Sequence, residues 1–160
     1  MCDMAIDVDI SVEGDFWGEV SDWEYIVNSA VAAAALHLQM DAAESELSIL
    51  LTHDAVIRHL NEQWRDKDKP TNVLSFPAVP GGQKGILPPL LGDIVLAFET
   101  IEREAQVSGK KLSHHVSHLI VHGFLHLLGY DHESDKEAQE METTEQAILA
   151  RLGIDDPYAI

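Results

Sequence analysis

The stretch His122-Gly-Phe-Leu-His126-Leu-Leu-Gly129-Tyr-Asp-His132 decides how the rest of the chain is read. Two histidines four residues apart stand one above the other on a single helix face. Leu119, Ile120, Phe124, Leu125, Leu127 and Leu128 surround them, which predicts a largely buried helix. Gly129 supplies the left-handed residue that ends such a helix, and the turn lets His132 swing back toward the other two rings. Three neutral imidazoles converging on one point, with a fourth position open, form the ligand set of a catalytic zinc. A lone buried histidine is ordinarily a hydrogen-bonded core residue. Three at this spacing, with glycine at the bend, point to a metal site.

The spacing matches the zinc-protease pattern, in which a helical histidine pair is followed by glycine and a third histidine. Those proteases carry their general-base glutamate directly after the first histidine, and here that position is Gly123. The ligand spacing is therefore shared, while peptidase activation of water lacks its base.

Composition narrows the class. A chain of 160 residues that is 46% hydrophobic is expected to form one folded domain, residues 1–160, with a sizeable core. The single cysteine, Cys2, allows no internal disulfide. Asp3, Asp7 and Asp9 occupy the N-terminus in place of a basic and apolar leader. The longest apolar run, residues 30–36, is too short to span a bilayer. These features predict a reducing, cytoplasmic setting without membrane association. The net charge of −18 argues against a general nucleic-acid binder, because phosphates are met by clustered lysine and arginine. Many of the ten basic residues nonetheless gather between Arg58 and Lys69 or around Lys84 and Lys110–Lys111, which allows a local basic groove on an acidic body.

Along the chain, alternating apolar and acidic residues predict an edge or half-buried strand over 4–12. Ser21 with Glu24 reads as a capping box opening a helix to about residue 40. Residues 46–52 form a second strand, and Thr52 or Asp54 caps a helix through Trp64. A polar loop with Pro70 leads to a short strand over 73–76, closed by Pro77. Residues 78–91, rich in proline and glycine, predict a mobile loop. A strand over 92–98 and a helix over 99–107 ended by Gly109 follow. The histidine helix spans 112–128. A last amphipathic helix over 134–152 turns Met141, Ile148 and Leu149 inward, and 155–160 is a tail. The expected architecture is a single α/β (α+β) domain, a four-stranded mixed sheet with about five helices.

Three segments together resemble the YbeY family of metal-dependent endoribonucleases, the rRNA maturation factors. They are Leu60-Asn61…Arg65…Lys69-Pro70-Thr71-Asn72-Val73-Leu74-Ser75-Phe76-Pro77, Leu91-Gly92-Asp93-Ile94, and the motif from His122 to His132. Met141 and Glu145 also fit the family's last helix. The resemblance spans most of residues 47–153. It implies a bacterial protein that cuts single-stranded RNA in 16S rRNA 3′-end maturation and ribosome quality control. It implies one zinc ion on His122, His126 and His132 and a functional arginine, Arg65. The implied partners are the 16S rRNA precursor and the small ribosomal subunit with its proteins; DNA is not expected.

Phosphodiester cleavage passes through a crowded, negatively charged state. Zinc polarises a phosphoryl oxygen or lowers the pKa of bound water from ~15.7 toward ~7. Arginine clamps a phosphate with a planar fork that lysine lacks, a role open to Arg65. The plainer role for Arg65 is a surface ion pair with Asp66 or Asp68. The residues suit either a metal-bound water or the RNA 2′-hydroxyl as nucleophile. Asp131 could orient an imidazole or simply form the turn beside Gly129. His118 stays near the ligand face and is a lesser candidate for a supporting role; His114 drifts off it. Asn72 and Ser75 could line the cleft. Two other readings remain. One is a zinc hydrolase of another substrate class. The other is a non-catalytic ribosome-assembly factor whose acidic surface meets basic ribosomal proteins around a structural metal.

Overall fold

The structure, a computed structural model, describes residues 6–40, 44–78 and 87–158. Its elements run β1 (Ile6–Val12), α1 (Ser21–His37), β2 (Ser45–Thr52), α2 (Asp54–Arg65), β3 (Val73–Pro77), β4 (Leu90–Ala97), α3 (Phe98–Ser108), α4 (Leu112–Leu127) and α5 (Asp135–Arg151). The four strands form one sheet in the order β1-β2-β4-β3. β1–β2 and β2–β4 pair in parallel and β3–β4 antiparallel, so the sheet is mixed, as expected. The first strand, anticipated over 4–12, is described from Ile6; residues 79–86 of the anticipated loop lie outside the described residues.

The strand period of two divides the side chains between two cores. Ile6, Leu47, Ile49, Leu51, Leu91, Ile94 and Leu96 face the larger core, together with α1, α4 and α5. Leu74, Val95 and Ala97 face the other way and are covered by Ile57 of α2. The histidine helix is thus packed on one face of the sheet and the arginine-bearing helix on the other. Met141, Ile148 and Leu149 are buried as the α5 pattern requires.

Local capping differs from the sequence reading at two helices. Val20, which precedes α1, is already helical (φ −58°, ψ −35°), with no side-chain cap. Ser21 therefore falls inside the helix, where the extended geometry of a capping serine is not available. At α2 the capping position is His53, again without a side-chain cap. The Asp54 N–H donates instead to Glu99 Oε1 at 2.8 Å. In return Asp54 Oδ1 accepts the Thr100 hydroxyl at 2.8 Å. The starts of α2 and α3 cap each other across the fold. Ser134 does cap α5, accepting the Glu137 N–H at 3.2 Å. β4 begins at Leu90 and α3 at Phe98, each earlier than expected.

Gly92 explains part of the Leu-Gly-Asp-Ile segment. Its φ is +133°, and a Cβ there would lie 2.1 Å from the Phe76 carbonyl oxygen. The end of β3 can lie against β4 only because this residue has no side chain.

Candidate metal centre and phosphate cleft

α4 brings His122 and His126 to the bottom of a cleft, and Gly129, at φ +94°, ends the helix. The following turn returns His132, whose backbone N–H is accepted by Asp131 Oδ1 at 2.7 Å. Asp131 thus forms the turn; it also lines the cleft. The ring centroids of His126 and His132 are 5.1 Å apart and those of His122 and His126 are 4.5 Å apart. All three rings offer a nitrogen within 4.8 Å of the others.

The ring protons can be assigned from the partners. His126 Nδ1 lies 3.0 Å from the Tyr130 carbonyl, which can only accept, so this nitrogen carries the proton. Burial, then the neighbouring His122 and His132 rings, push the His126 pKa down to about 4, so its Nε2 holds a lone pair at neutral pH. His122 Nδ1 lies 2.5 Å from Glu145 Oε1. Burial raises the Glu145 carboxyl, but hydrogen bonds from His118 and His122, the His122 charge and the Tyr158 hydroxyl outweigh it and hold Glu145 at about 2. As an anion, Glu145 only accepts, and His122 Nδ1 donates. The two Nε2 atoms then face each other at 3.0 Å. Two lone pairs at that distance repel unless a cation, a proton or a metal ion, stands between them.

The donor set suits a metal. Two nitrogens at zinc–nitrogen distances of ~2.0–2.1 Å in a tetrahedron lie about 3.4 Å apart, close to the observed spacing. A second cluster, His118, His122 and Glu145, also brings its donor atoms together. There the His122–Glu145 separation of 2.5 Å is that of a charge-assisted hydrogen bond, shorter than two ligands of one ion adopt. Glu145 therefore stands behind His122, placed as a carboxylate that orients the imidazole.

Arg65 enters the same cleft from the opposite side of the sheet. It ends α2, and Asp66 after it is left-handed at φ +58°. β3 is an edge strand; Arg65 Nη2 donates to the Ser75 carbonyl on it at 2.9 Å. The guanidinium carbon lies 4.9 Å from the Phe76 ring centroid, a cation–π contact. Asp68 is taken by Arg58 at 2.7 Å. Arg65, Thr71, Asn72, Ser75, His122, His126 and His132 line one cleft of about 510 Å³. Asn72 is also tied to Glu104 at 3.0 Å.

Gly123, where the proteases carry their glutamate, faces away from this cleft. A Cβ on it would meet Ile94 at 3.2 Å, so the position packs against the sheet. His118 turns toward Glu145, 3.4 Å from Oε2, as a supporting residue behind the cleft. Among the described residues, no helix is long and apolar enough to cross a membrane. Two residues were not given roles from sequence. Glu145 is fully buried, and its place in the inward stripe Met141, Glu145, Ile148, Leu149 was the available signal, since a charge on a buried stripe needs a partner. Tyr158, in the expected tail, donates to Glu145 Oε2; no periodic pattern marks it.

Comparison with known proteins is consistent with this geometry. The solution structure of a Thermotoga maritima protein shares the fold, with a TM-score of 0.58 at 21% identity over 96% of this chain and 99% of that one. The protein named Endoribonuclease YbeY in Bradyrhizobium diazoefficiens is 54% identical over 154 residues, covering 94% of this chain and 84% of the relative. The protein of the same name in Azorhizobium caulinodans is 52% identical, covering 97% and 98%. The sequence model of the family described as Endoribonuclease YbeY matches residues 13–153, a span that holds Arg65, all three cleft histidines and Glu145. The chain belongs to the endoribonuclease YbeY family.

Proposed function

We propose that this protein is a single-strand-specific endoribonuclease that uses one zinc ion on His122, His126 and His132 and binds the scissile phosphate with Arg65. The observation that carries the reading is the meeting of the His122 and His126 Nε2 atoms at 3.0 Å, with His132 beside them, in a cleft that Arg65 also lines. The names of the relatives support RNA as the substrate. A bound zinc would supply Lewis acidity toward a phosphoryl oxygen and lower the pKa of water. The chain's own residues supply the rest. Arg65 is held by Ser75 and Phe76 with donors left over for a phosphate oxygen. Glu145 keeps the His122 proton on Nδ1 and its lone pair toward the cleft. The cellular role we assign is 16S rRNA 3′-end maturation and ribosome quality control in the cytoplasm, with the small ribosomal subunit as partner. Gly123 packs against Ile94 and faces away from the cleft, which disfavours a peptidase, because that position supplies no general base.

The test is cleavage of a single-stranded RNA spanning the 16S precursor 3′ end, with metal content measured in the same samples. Arg65→Ala is expected to lose about 100-fold or more in rate, as when one donor to a transition-state anion is removed, while keeping its zinc. His126→Ala is expected to lose both zinc and cleavage. Cleavage by Arg65→Ala at the wild-type rate would remove Arg65 from the mechanism. Cleavage surviving chelation would remove the metal.

A further inference from the structure

The C-terminal segment after α5 is pinned at two places that do not involve Glu145, and a turn within it is closed by a third hydrogen bond. The Ile154 N–H donates to the Leu149 carbonyl at 3.0 Å. Lys110 Nζ donates to the Pro157 carbonyl at 3.0 Å. Asp156 Oδ1 accepts the Tyr158 N–H at 2.9 Å. The Tyr158 ring then stands edge-on to His118, with centroids 5.5 Å apart at 87°, and its hydroxyl reaches Glu145 Oε2. Glu145 has no solvent exposure, so every donor to its carboxylate comes from the protein side of the site. Oε1 receives His122. Oε2 has Tyr158 and, at a weak 3.4 Å, His118.

We propose that Tyr158 is a positioning residue for the metal centre: its hydroxyl fixes the Glu145 carboxylate, which in turn fixes the tautomer and orientation of His122. This rests on the reading of His122, His126 and His132 as metal ligands. A buried carboxylate oxygen left without a donor is costly. Without the Tyr158 hydroxyl, the protein donor left to Oε2 is His118 at 3.4 Å, and a carboxylate that turns to shorten that contact loosens Oε1 from His122. A ligating imidazole whose outer partner is loosened binds metal more weakly, typically by ~10–100-fold. The segment that reads as a tail is thereby part of the metal site.

The test is Tyr158→Phe, which removes the hydroxyl and keeps the ring against His118. Zinc affinity is measured by competition with a chromophoric chelator. Melting is followed for metal-free and zinc-loaded protein, and the visible spectrum is recorded with cobalt in place of zinc. The expected result is a loss of about 10-fold or more in zinc affinity. The cobalt spectrum should shift, and the zinc-loaded melting point should fall by more than the metal-free one, which loses the same buried hydrogen bond. Tyr158→Ala is expected to show the same loss plus a further drop in the metal-free melting point from lost packing. Wild-type affinity and an unchanged cobalt spectrum in Tyr158→Phe would overturn the proposal while leaving the metal reading intact. So would an equal fall of both melting points without loss of affinity, since that marks a purely structural contact. A wild-type protein that binds neither zinc nor cobalt would instead overturn the metal reading, and this inference with it.

Discussion

At His126, burial and the flanking rings of His122 and His132 lower the pKa from 6.5 to about 4. The unfolded chain therefore takes up this proton first as pH falls. Stability from the neutral buried ring is complete above pH 6.5 and is lost progressively down to about pH 4. Glu145 is depressed from 4.5 to about 2, so its contribution is present above pH 4.5 and is lost as pH falls through about 2. Both groups act in the same direction in successive windows. For His126 the effect is on the order of 2 kcal/mol, allowing for its partial exposure. The metal-free protein is expected to melt roughly 4–8 °C lower at pH 4 than at pH 7, with the decline starting near pH 6.5. Calorimetry across that range checks it, and a flat profile between pH 7 and 5 would contradict the neutral, proton-poor His126 on which the cation argument rests.

Elements of this fold are completed by their neighbours more than by their own sequences. The reciprocal contacts of Asp54, Glu99 and Thr100 replace the local caps expected for α2. Arg65, at the end of α2, is held by the edge of β3. The position of β3 depends in turn on Gly92, where a Cβ would strike the Phe76 backbone. Gly92→Ala is expected to destabilise the protein by about 3 kcal/mol or more, combining strain at a positive φ with a forced strand displacement. RNA cleavage should fall as well, because Ser75 and Phe76 carry Arg65. Urea unfolding measures the first effect, and a change below about 1 kcal/mol would mean that β3 can move off β4 at little cost.

For the molecule as a whole, the net charge of −18 sets an unusual condition on an RNA enzyme. Its long-range field repels the substrate, while the local attraction rests on few cations, and Arg58 is already matched by Asp68. Salt screens the repulsion over a length of ~10 Å at 0.1 M. We expect KM for a single-stranded RNA to fall as salt rises from low values toward ~0.1 M, opposite to the counterion-release behaviour of a basic nucleic-acid binder. A KM that rises steeply over that interval would show that a basic groove governs binding.

Features whose energetics are local could be read from the residues alone. Helical period, apolar surround and a glycine at the bend were enough to bring His122, His126 and His132 together, because the three lie within eleven residues and one turn. Alternation marked the first strand, short apolar runs between turn residues marked the other three, and helical periodicity marked the inward face of α5. Tertiary structure decided whatever depends on burial between distant segments. It set the strand order, the exchange of caps between α2 and α3, and the Ser75 and Phe76 seat that keeps Arg65 off Asp66 and Asp68. It also made Tyr158 a hydrogen-bond partner of Glu145. The physical reason is the same in each case. A buried polar group must find a donor or acceptor somewhere in the fold; sequence shows that the need exists, and only packing shows which residue meets it.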